Sequence, residues 1–266
     1  MAIQHPIDLN AIHCMLDSVY YDTKPHRQEV GMLSNRICAD EAHVSIDEFV
    51  KKVGNRGCAF LPCVVKGGRK SENWRGACIF ALDFDGGLSY EAFMQRCQEI
   101  NILPYFTYET FRSRNRDKFR GVFLCSHFIT DEPLWLLIQK AFKKLFPEAD
   151  KQCWDRTRLF FGGKEVIYQS QNIFAPHRLL AQLFHYMKKQ DPKNGARNFK
   201  RFVSAAQLDD GVGKYGVSVC SQEDSTFEIQ NRKVEGNCEG LYIYKRPLQN
   251  PSILSPWNES NSIRFT

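Results

Sequence analysis

The chain lacks most of the features that assign a protein quickly. No apolar run reaches about 18 residues, which excludes a membrane-spanning helix. Its ten cysteines form no C-x-x-C and no paired Cys/His zinc spacing. The opening MAIQHPIDLN has no basic region followed by an apolar stretch, so no secretory signal and a cytoplasmic location are expected. There is no internal repeat and no low-complexity tract. Charge of one sign is also scarce: 36 Lys and Arg face 30 Asp and Glu, a net +6. That permits nucleic acid as a partner without requiring it.

What is present is an ordinary globular composition, 43% hydrophobic and 25% charged over 266 residues. Disorder, a collagen-like fibre and a coiled-coil rod are excluded, and the length allows one large domain or two small ones. Several cysteines sit in apolar runs, Cys78 in ACIFALDFD and Cys125 in GVFLC. Reduced core thiols are expected, with a metal knuckle at Cys58 and Cys63 as the minor alternative.

A regular order begins at residue 77. ACIFALDFD reads as a strand, broken by Gly86-Gly87; Ser89 caps a helix, SYEAFMQRCQEI; PYFTYETF is extended again. The polar turn RSRNRD leads into the strand KFRGVFLC. Asp131 opens the amphipathic helix EPLWLLIQKAFKKLF, which Pro147 ends, and RTRLFFGG reads as a fourth strand with EVIYQS as candidate hairpin partner. The order β-α-β-β-α-β predicts an α+β fold with an RRM-like (ferredoxin-like) unit over about residues 77–170. Upstream, DLNAIHCMLDSVYY has Leu9, Ile12, Leu16 and Val19 at helical spacing. Ser45-Ile-Asp-Glu48 is a capping box for a short helix ending near Gly54, and CAFLPCVV is a strand candidate before the loop Gly67–Lys70. A helix, PHRLLAQLFHYMKKQ, completes a region spanning 1–190. Residues 191–266, opening on DPKNGARN, read as a linker and a loosely ordered or incomplete segment.

This topology gathers polar residues. Asp83 and Asp85 share a face by strand alternation. Thr110 ends the second strand, Lys118 and Arg120 begin the third, Asp155 precedes the fourth and Arg158 lies within it. The ends of strands one and two lie beside the starts of strands three and four. Two carboxylates on one face repel unless a cation joins them, and oxygen ligands suit Mg²⁺ or Mn²⁺. Between residues 112 and 120 stand Arg112, Arg114, Arg116, Lys118 and Arg120 against the single acid Asp117, suitable partners for a triphosphate or a nucleic-acid backbone. Taken singly, a D-x-D is commonly a solvated turn and a basic run a solvated tip. Asp155 could pair with Arg156 or Arg158, and Trp74, Trp135 and Trp154 suit packing. The joint placement points to phosphoryl or nucleotidyl transfer with two metal ions.

Over about residues 45–170 these features resemble the archaeo-eukaryotic primase superfamily, in the primase-polymerase-like form found in bacterial plasmids, phages and integrated elements. Its first motif, h-h-D-h-D, stands as Ala81-Leu82-Asp83-Phe84-Asp85. Its third, an acid before a strand, looks like Asp155 in CWDRTRLFFGGK. YFTYETFRSRNRDKFRGVFL looks like the strand-turn-strand of the second motif. The Ser-x-His common there is absent; Thr110, Arg112, Ser113 and Lys118 occupy the region, and His127 lies at the far end of the next strand.

The resemblance implies an N-terminal α/β module packed on the RRM-like module, and DNA primase or polymerase activity on single-stranded DNA. A 3′-hydroxyl attacks the α-phosphate of a nucleoside triphosphate and pyrophosphate leaves. It implies Asp83, Asp85 and Asp155 as the triad for two Mg²⁺ or Mn²⁺ ions. Asp83 and Asp85 would hold both, and Asp155 the ion that activates the hydroxyl. Thr110, Arg112, Ser113, Lys118, Arg120 and Arg158 fall to the nucleotide, and Arg114 and Arg116 to the template backbone. A helicase, fused or separate, is a compatible partner; a membrane is not.

Two rival readings compete. LDFDGGLS resembles the opening motif of haloacid-dehalogenase-like phosphatases, with Asp83 as nucleophile, Asp85 as acid-base and Asp209-Asp210 as late metal acids. That family needs a parallel α/β sheet, and Gly87 stands where its motif carries Thr. The other rival is a non-catalytic RRM-like module that binds single-stranded nucleic acid on Phe106, Tyr108, Phe119 and Phe123.

Overall fold

A computed structural model describes residues 5–39, 41–208 and four strand segments at 215–220, 226–229, 232–235 and 240–245. The chain divides into two compact units, 1–176 and 177–266. The first contains, in order, β1 (His5–Pro6), β2 (Ile12–Leu16), α1 (Glu29–Ile37), β3 (Ala42–Val44), α2 (Ile46–Val50), a π-helical turn Lys51–Asn55, β4 (Phe60–Leu61) and β5 (Val64–Val65). It continues with β6 (Trp74–Phe84), α3 (Tyr90–Glu99), β7 (Phe106–Thr110), β8 (Phe119–Ile129), α4 (Glu132–Leu145), β9 (Gly163–Gln169) and β10 (Ile173–Phe174).

Local signals place several of these elements. Ser45, Ser89 and Asp131 each accept a hydrogen bond from the backbone three residues on, at Glu48, Ala92 and Leu134. Each capped end satisfies an N–H that the helix cannot.

The main sheet runs β5-β6-β8-β7-β9, with β1 and β10 also on β8. Strands β6 and β7 flank β8, and both are antiparallel to it. That is the order expected for the first three strands of the RRM-like unit. The closing strand differs. Leu159–Gly162 form no strand beyond one bridge, Phe60 to Phe160. Strand β9 is instead Gly163–Gln169, and it pairs with β7 on the opposite edge, while β5 takes the edge beside β6. EVIYQS therefore finds its partner in β7, not in RTRLFFGG.

Both faces of the sheet are covered. On one, Phe84, Phe93, Phe119, Phe123, Phe142 and Phe146 form a continuous ring cluster beneath α3 and α4. On the other, Ile79, Ala81, Phe106, Tyr108, Val122 and Leu124 pack against Ile12, Phe49, Val53 and Phe60 of the N-terminal segment. Phe106, Tyr108, Phe119 and Phe123 are thus all fully buried, which removes the base-stacking platform of the binding-module reading.

The segment read as a helix at 9–19 is instead β2, held between β3 and β4. Buried Ile12 and Cys14 flank exposed His13, the alternation of a strand. CAFLPCVV divides into β4 and β5, interrupted at Pro62-Cys63. Asp17 at the end of β2 is buried, and Arg36 of α1 pairs with it through Nε at 2.6 Å and Nη2 at 2.8 Å. Donating these hydrogen bonds to the Asp17 carboxylate holds the Arg36 guanidinium above its ordinary proton affinity.

The cysteines from Cys14 to Cys153 are free thiols, and burial pushes those of Cys14, Cys125 and Cys153 up to about 12. That matches inert core thiols.

In the second unit, α5 (Pro176–Gln190) and α6 (Gly195–Leu208) pack through Phe184 and Phe199, with ring centroids 5.3 Å apart. All of α6 lies within residues 191–266, read as a linker and a loosely ordered or incomplete segment. Two antiparallel strand pairs follow, 215–220 with 240–245 and, between them in sequence, 226–229 with 232–235.

Gly121 of β8 sits under the ring of Phe93, and a Cβ there would lie 2.7 Å from its Cζ. Gly121→Ala is expected to cost about 1–3 kcal/mol through overpacking. In a Phe93→Leu background the same change should cost less, because the two sites share one space. Urea denaturation of the four proteins checks both statements.

Candidate active site

The D-x-D pair lies where β6 runs out of the sheet. Strand register sets Asp83 opposite Arg120, and Arg120 opposite Tyr108. Asp83 is 4% exposed and Arg120 7%. The guanidinium donates from Nη2 to Asp83 Oδ2 at 2.9 Å, and from Nη1 to the Tyr108 hydroxyl at 3.3 Å and to the Phe161 carbonyl. Its plane also lies near the rings of Tyr108 and Phe160. Arg120 Nε is 2.9 Å from Asp83 Oδ1, but the two are not aligned as a hydrogen bond. Asp83 Oδ1 is therefore buried, negatively charged and without a hydrogen-bond donor.

Burial disfavours the charge on Arg120, but Tyr108 and Asp83 outweigh it and raise its proton affinity. Burial pushes the Tyr108 phenol up to about 12, so it stays neutral.

The acids that meet here are Asp83, Asp85 and Asp150, with one carboxylate oxygen from each within 4.8 Å of the others. Asp150 is held by its own backbone, whose N–H donates to the Asp83 carbonyl at 2.9 Å. Cys153 Sγ accepts from Asp83 N at 3.1 Å and fixes the same loop to the strand end. Asp155 is not in this group: it is exposed, and its Oδ1 accepts from the Thr157 amide at 3.0 Å and hydroxyl at 3.3 Å. It does not pair with Arg156, which bonds Glu132. The cap position of Asp150, before the 3₁₀ turn Lys151–Trp154, was the available sequence signal for this residue.

A buried carboxylate oxygen with no aligned hydrogen bond, beside two more carboxylates, fits a hard divalent cation such as Mg²⁺ or Mn²⁺. Asp83 would bind through Oδ1 while Oδ2 stays with Arg120, with Asp85 and Asp150 completing an all-oxygen set.

The basic residues divide by burial. Arg112, Arg114 and Arg116 are exposed on the β7–β8 turn, and Lys118 and Arg158 are half-buried. Thr110 donates its backbone N–H to the Lys118 carbonyl at 3.1 Å. Ser113 is 3% exposed, and its hydroxyl donates to Asp117 and accepts from Lys118 N. That hydroxyl builds the turn and is not free for a nucleotide. Arg120 is likewise committed to Asp83, so it positions a carboxylate instead of meeting phosphate. Arg116 is left-handed at φ 63°, and its N–H donates to Glu109 Oε1 at 3.1 Å. Burial raises the Glu109 carboxyl, but its bonds to Ser113 and Arg116 outweigh this and hold it low.

Sequence reasoning missed Lys24. Burial, then Arg112 and Arg120, lower its proton affinity, while Asp85 and Asp83 pull it back up. Lys24 Nζ also lies 5.4 Å from the centre of the Phe161 ring, the residue whose carbonyl accepts from Arg120. Lys24 lies in an irregular stretch with no pattern that could have announced it. His127 lies away from the acids, bonded to Ser126 and paired in β8 with Pro6, and burial lowers its proton affinity.

No protein-family profile matches the chain, and no curated protein sequence matches it. Among solved structures, the AEP domain of the cyanophage S-2L primase-polymerase aligns at 12% identity and a TM-score of 0.41, over 66% of this chain and 90% of that one. The phosphatase reading loses its scaffold, because β6 and β7 are separated by the antiparallel β8 and the one parallel pairing among the described residues is the two-residue β10 on β8. Asp209 and Asp210 lie outside the described residues.

Removing Arg120 leaves Asp83 buried without a counter-charge. Arg120→Leu is expected to cost about 3–5 kcal/mol. Adding Asp83→Leu should restore most of that loss, because the stranded charge disappears with it. Paired denaturation curves test this, and a double variant no more stable than Arg120→Leu would refute it.

Proposed function

We propose that this chain is a metal-dependent nucleotidyltransferase of the primase-polymerase type, acting on single-stranded DNA and nucleoside triphosphates. One observation carries the reading. Asp83, Asp85 and Asp150 converge at the end of β6, and the cation Lys24 sits over the ring of Phe161, the residue whose carbonyl holds Arg120 against Asp83. Acids for metal next to bases for phosphate suit transfer of a nucleotidyl group, and the h-h-D-h-D stretch at Ala81–Asp85 has the same sense.

Bound Mg²⁺ or Mn²⁺, in two-ion form, supplies Lewis acidity at the α-phosphate and favours the deprotonated hydroxyl. The chain's own groups do the rest. Arg120 holds Asp83 in one orientation. Asp150 takes the third carboxylate position, which the motif resemblance had assigned to Asp155. Lys24 and Arg112 face the triphosphate, with Thr110, Lys118 and Arg158 nearby in the sequence plan. Arg114 and Arg116, on the exposed turn, follow the template backbone with guanidinium forks that can meet phosphate oxygens in pairs.

The test is incorporation of labelled nucleotide on single-stranded DNA, with and without an annealed primer, in Mg²⁺ or Mn²⁺. Asp83→Ala with Asp85→Ala should abolish product; retained synthesis would place the active site elsewhere. Asp150→Ala should lower the rate at least about 100-fold, more than a metal site loses with an outer-shell partner. Asp155→Ala should be far milder, and the reverse order would restore Asp155 as the third ligand. Product under neither metal, with DNA binding tightened by loss of the acids, would identify a passive binder.

The basic turn gives a separate readout. Replacing Arg112, Arg114 and Arg116 with Ala should weaken single-stranded DNA binding and flatten the log K against log salt slope by about 2. An unchanged slope would remove the turn from the interface.

A further inference from the structure

The β2–β3 ribbon carries a second cluster of metal-binding side chains, on residues the acid site does not use. His13 and His43 are directly opposed in the antiparallel register, and Glu41 lies two residues before His43, on the same face. Glu41 Oε1 is 2.5 Å from His13 Nδ1 and 3.7 Å from His43 Nε2. The imidazole centroids are 4.3 Å apart, at 69°. One ligand atom from each of the three residues lies within 4.8 Å of the other two.

We infer that His13, Glu41 and His43 form a site for Zn²⁺ or another borderline first-row divalent ion. The donor chemistry selects the ion. Two imidazoles with one carboxylate suit zinc-like metals, whereas the all-oxygen acid cluster suits Mg²⁺ or Mn²⁺. In a tetrahedral zinc site, ligand atoms about 2.1 Å from the metal stand roughly 3.4 Å apart. The three side chains are exposed, so small rotations close the remaining distance. A His13–Glu41 hydrogen bond alone would account for one imidazole; it leaves unexplained why the second is drawn toward the same oxygen.

Three protein ligands leave a fourth position for water or an anion. A cavity of about 460 Å³ adjoins the cluster, lined by His13 and Glu41 together with Lys66, Arg75 and Phe128. Its two cations favour an anionic ligand there. Cys38 lines the same cavity, but burial raises its thiol and it is not needed for the set.

The experiment is calorimetric titration of Zn²⁺ into the full chain carrying Asp85→Asn and Asp150→Asn, which removes two of the three acids of the other cluster and leaves the Asp83–Arg120 pair intact. One equivalent should bind. Adding His13→Ala with His43→Ala should weaken binding at least about 100-fold, since even outer-shell partners are worth 10–100-fold. Glu41→Gln, which preserves shape, should weaken it in the same direction. Co²⁺ should give the visible absorption of a tetrahedral ion, and the double histidine variant should lose it. Circular dichroism of the metal-free variants should match the parent, because none of the three side chains is part of the core. Absence of Zn²⁺ uptake by the parent, or equal affinity in the histidine variant, would overturn the assignment. Neither outcome depends on nucleotidyl transfer.

Discussion

A carboxylate taken out of water needs a partner, and Asp83 is almost completely enclosed. Arg120 is that partner, and the surrounding structure follows from keeping the two together. The pair exists only in one register of β6 on β8. A slip of β6 by one residue would turn Asp83 into the phenylalanine cluster on the other face and leave Arg120 behind without it. The clustered rings of Phe84, Phe93, Phe119 and Phe123 resist that slip, and Gly121 lets Phe93 seat against the sheet. The apolar face therefore sets the geometry of the polar one. Tyr108 and the Phe161 carbonyl then satisfy the remaining guanidinium donors on Nη1.

The same strand end organises the loop that follows α4. The Asp83 carbonyl accepts from Asp150 N, and the Asp83 amide donates to Cys153. Two backbone contacts thus bring a distant acid beside the D-x-D pair. They explain why the third carboxylate is Asp150, which is tied to the strand, and not Asp155, whose oxygen is turned back on Thr157.

Much of this was legible in the sequence where the cause is local. Ser45, Ser89 and Asp131 cap helices through contacts three residues away, and the shared face of Asp83 and Asp85 follows from strand alternation. The errors fall where long-range pairing decides. Apolar spacing at 9–19 suits a helix, but two strands distant in sequence claim Ile12–Leu16 and impose a period of two. RTRLFFGG has strand composition, yet the edge it would occupy belongs to β5, and the free edge of β7 takes Gly163–Gln169. The basic run was visible, but not which arginine would be spent internally. Only the folded register shows that Arg120 faces Asp83 while Arg112, Arg114 and Arg116 stay in water.

That division bears on how the site handles charge. The Asp83–Arg120 pair is electrically near neutral, so Asp83 contributes an oriented oxygen more than a net charge. Asp85 is exposed and Asp150 half-exposed, and these two supply the negative potential that a cation meets first. Solvated carboxylates can rearrange around an incoming ion at little cost, whereas a buried one cannot. A fixed oxygen next to two adaptable ones gives an ion a defined position without requiring three buried charges to coexist before it arrives. The fold therefore keeps one acid rigid by pairing it, and leaves the others wet so that the cluster does not destabilise the sheet on which it stands.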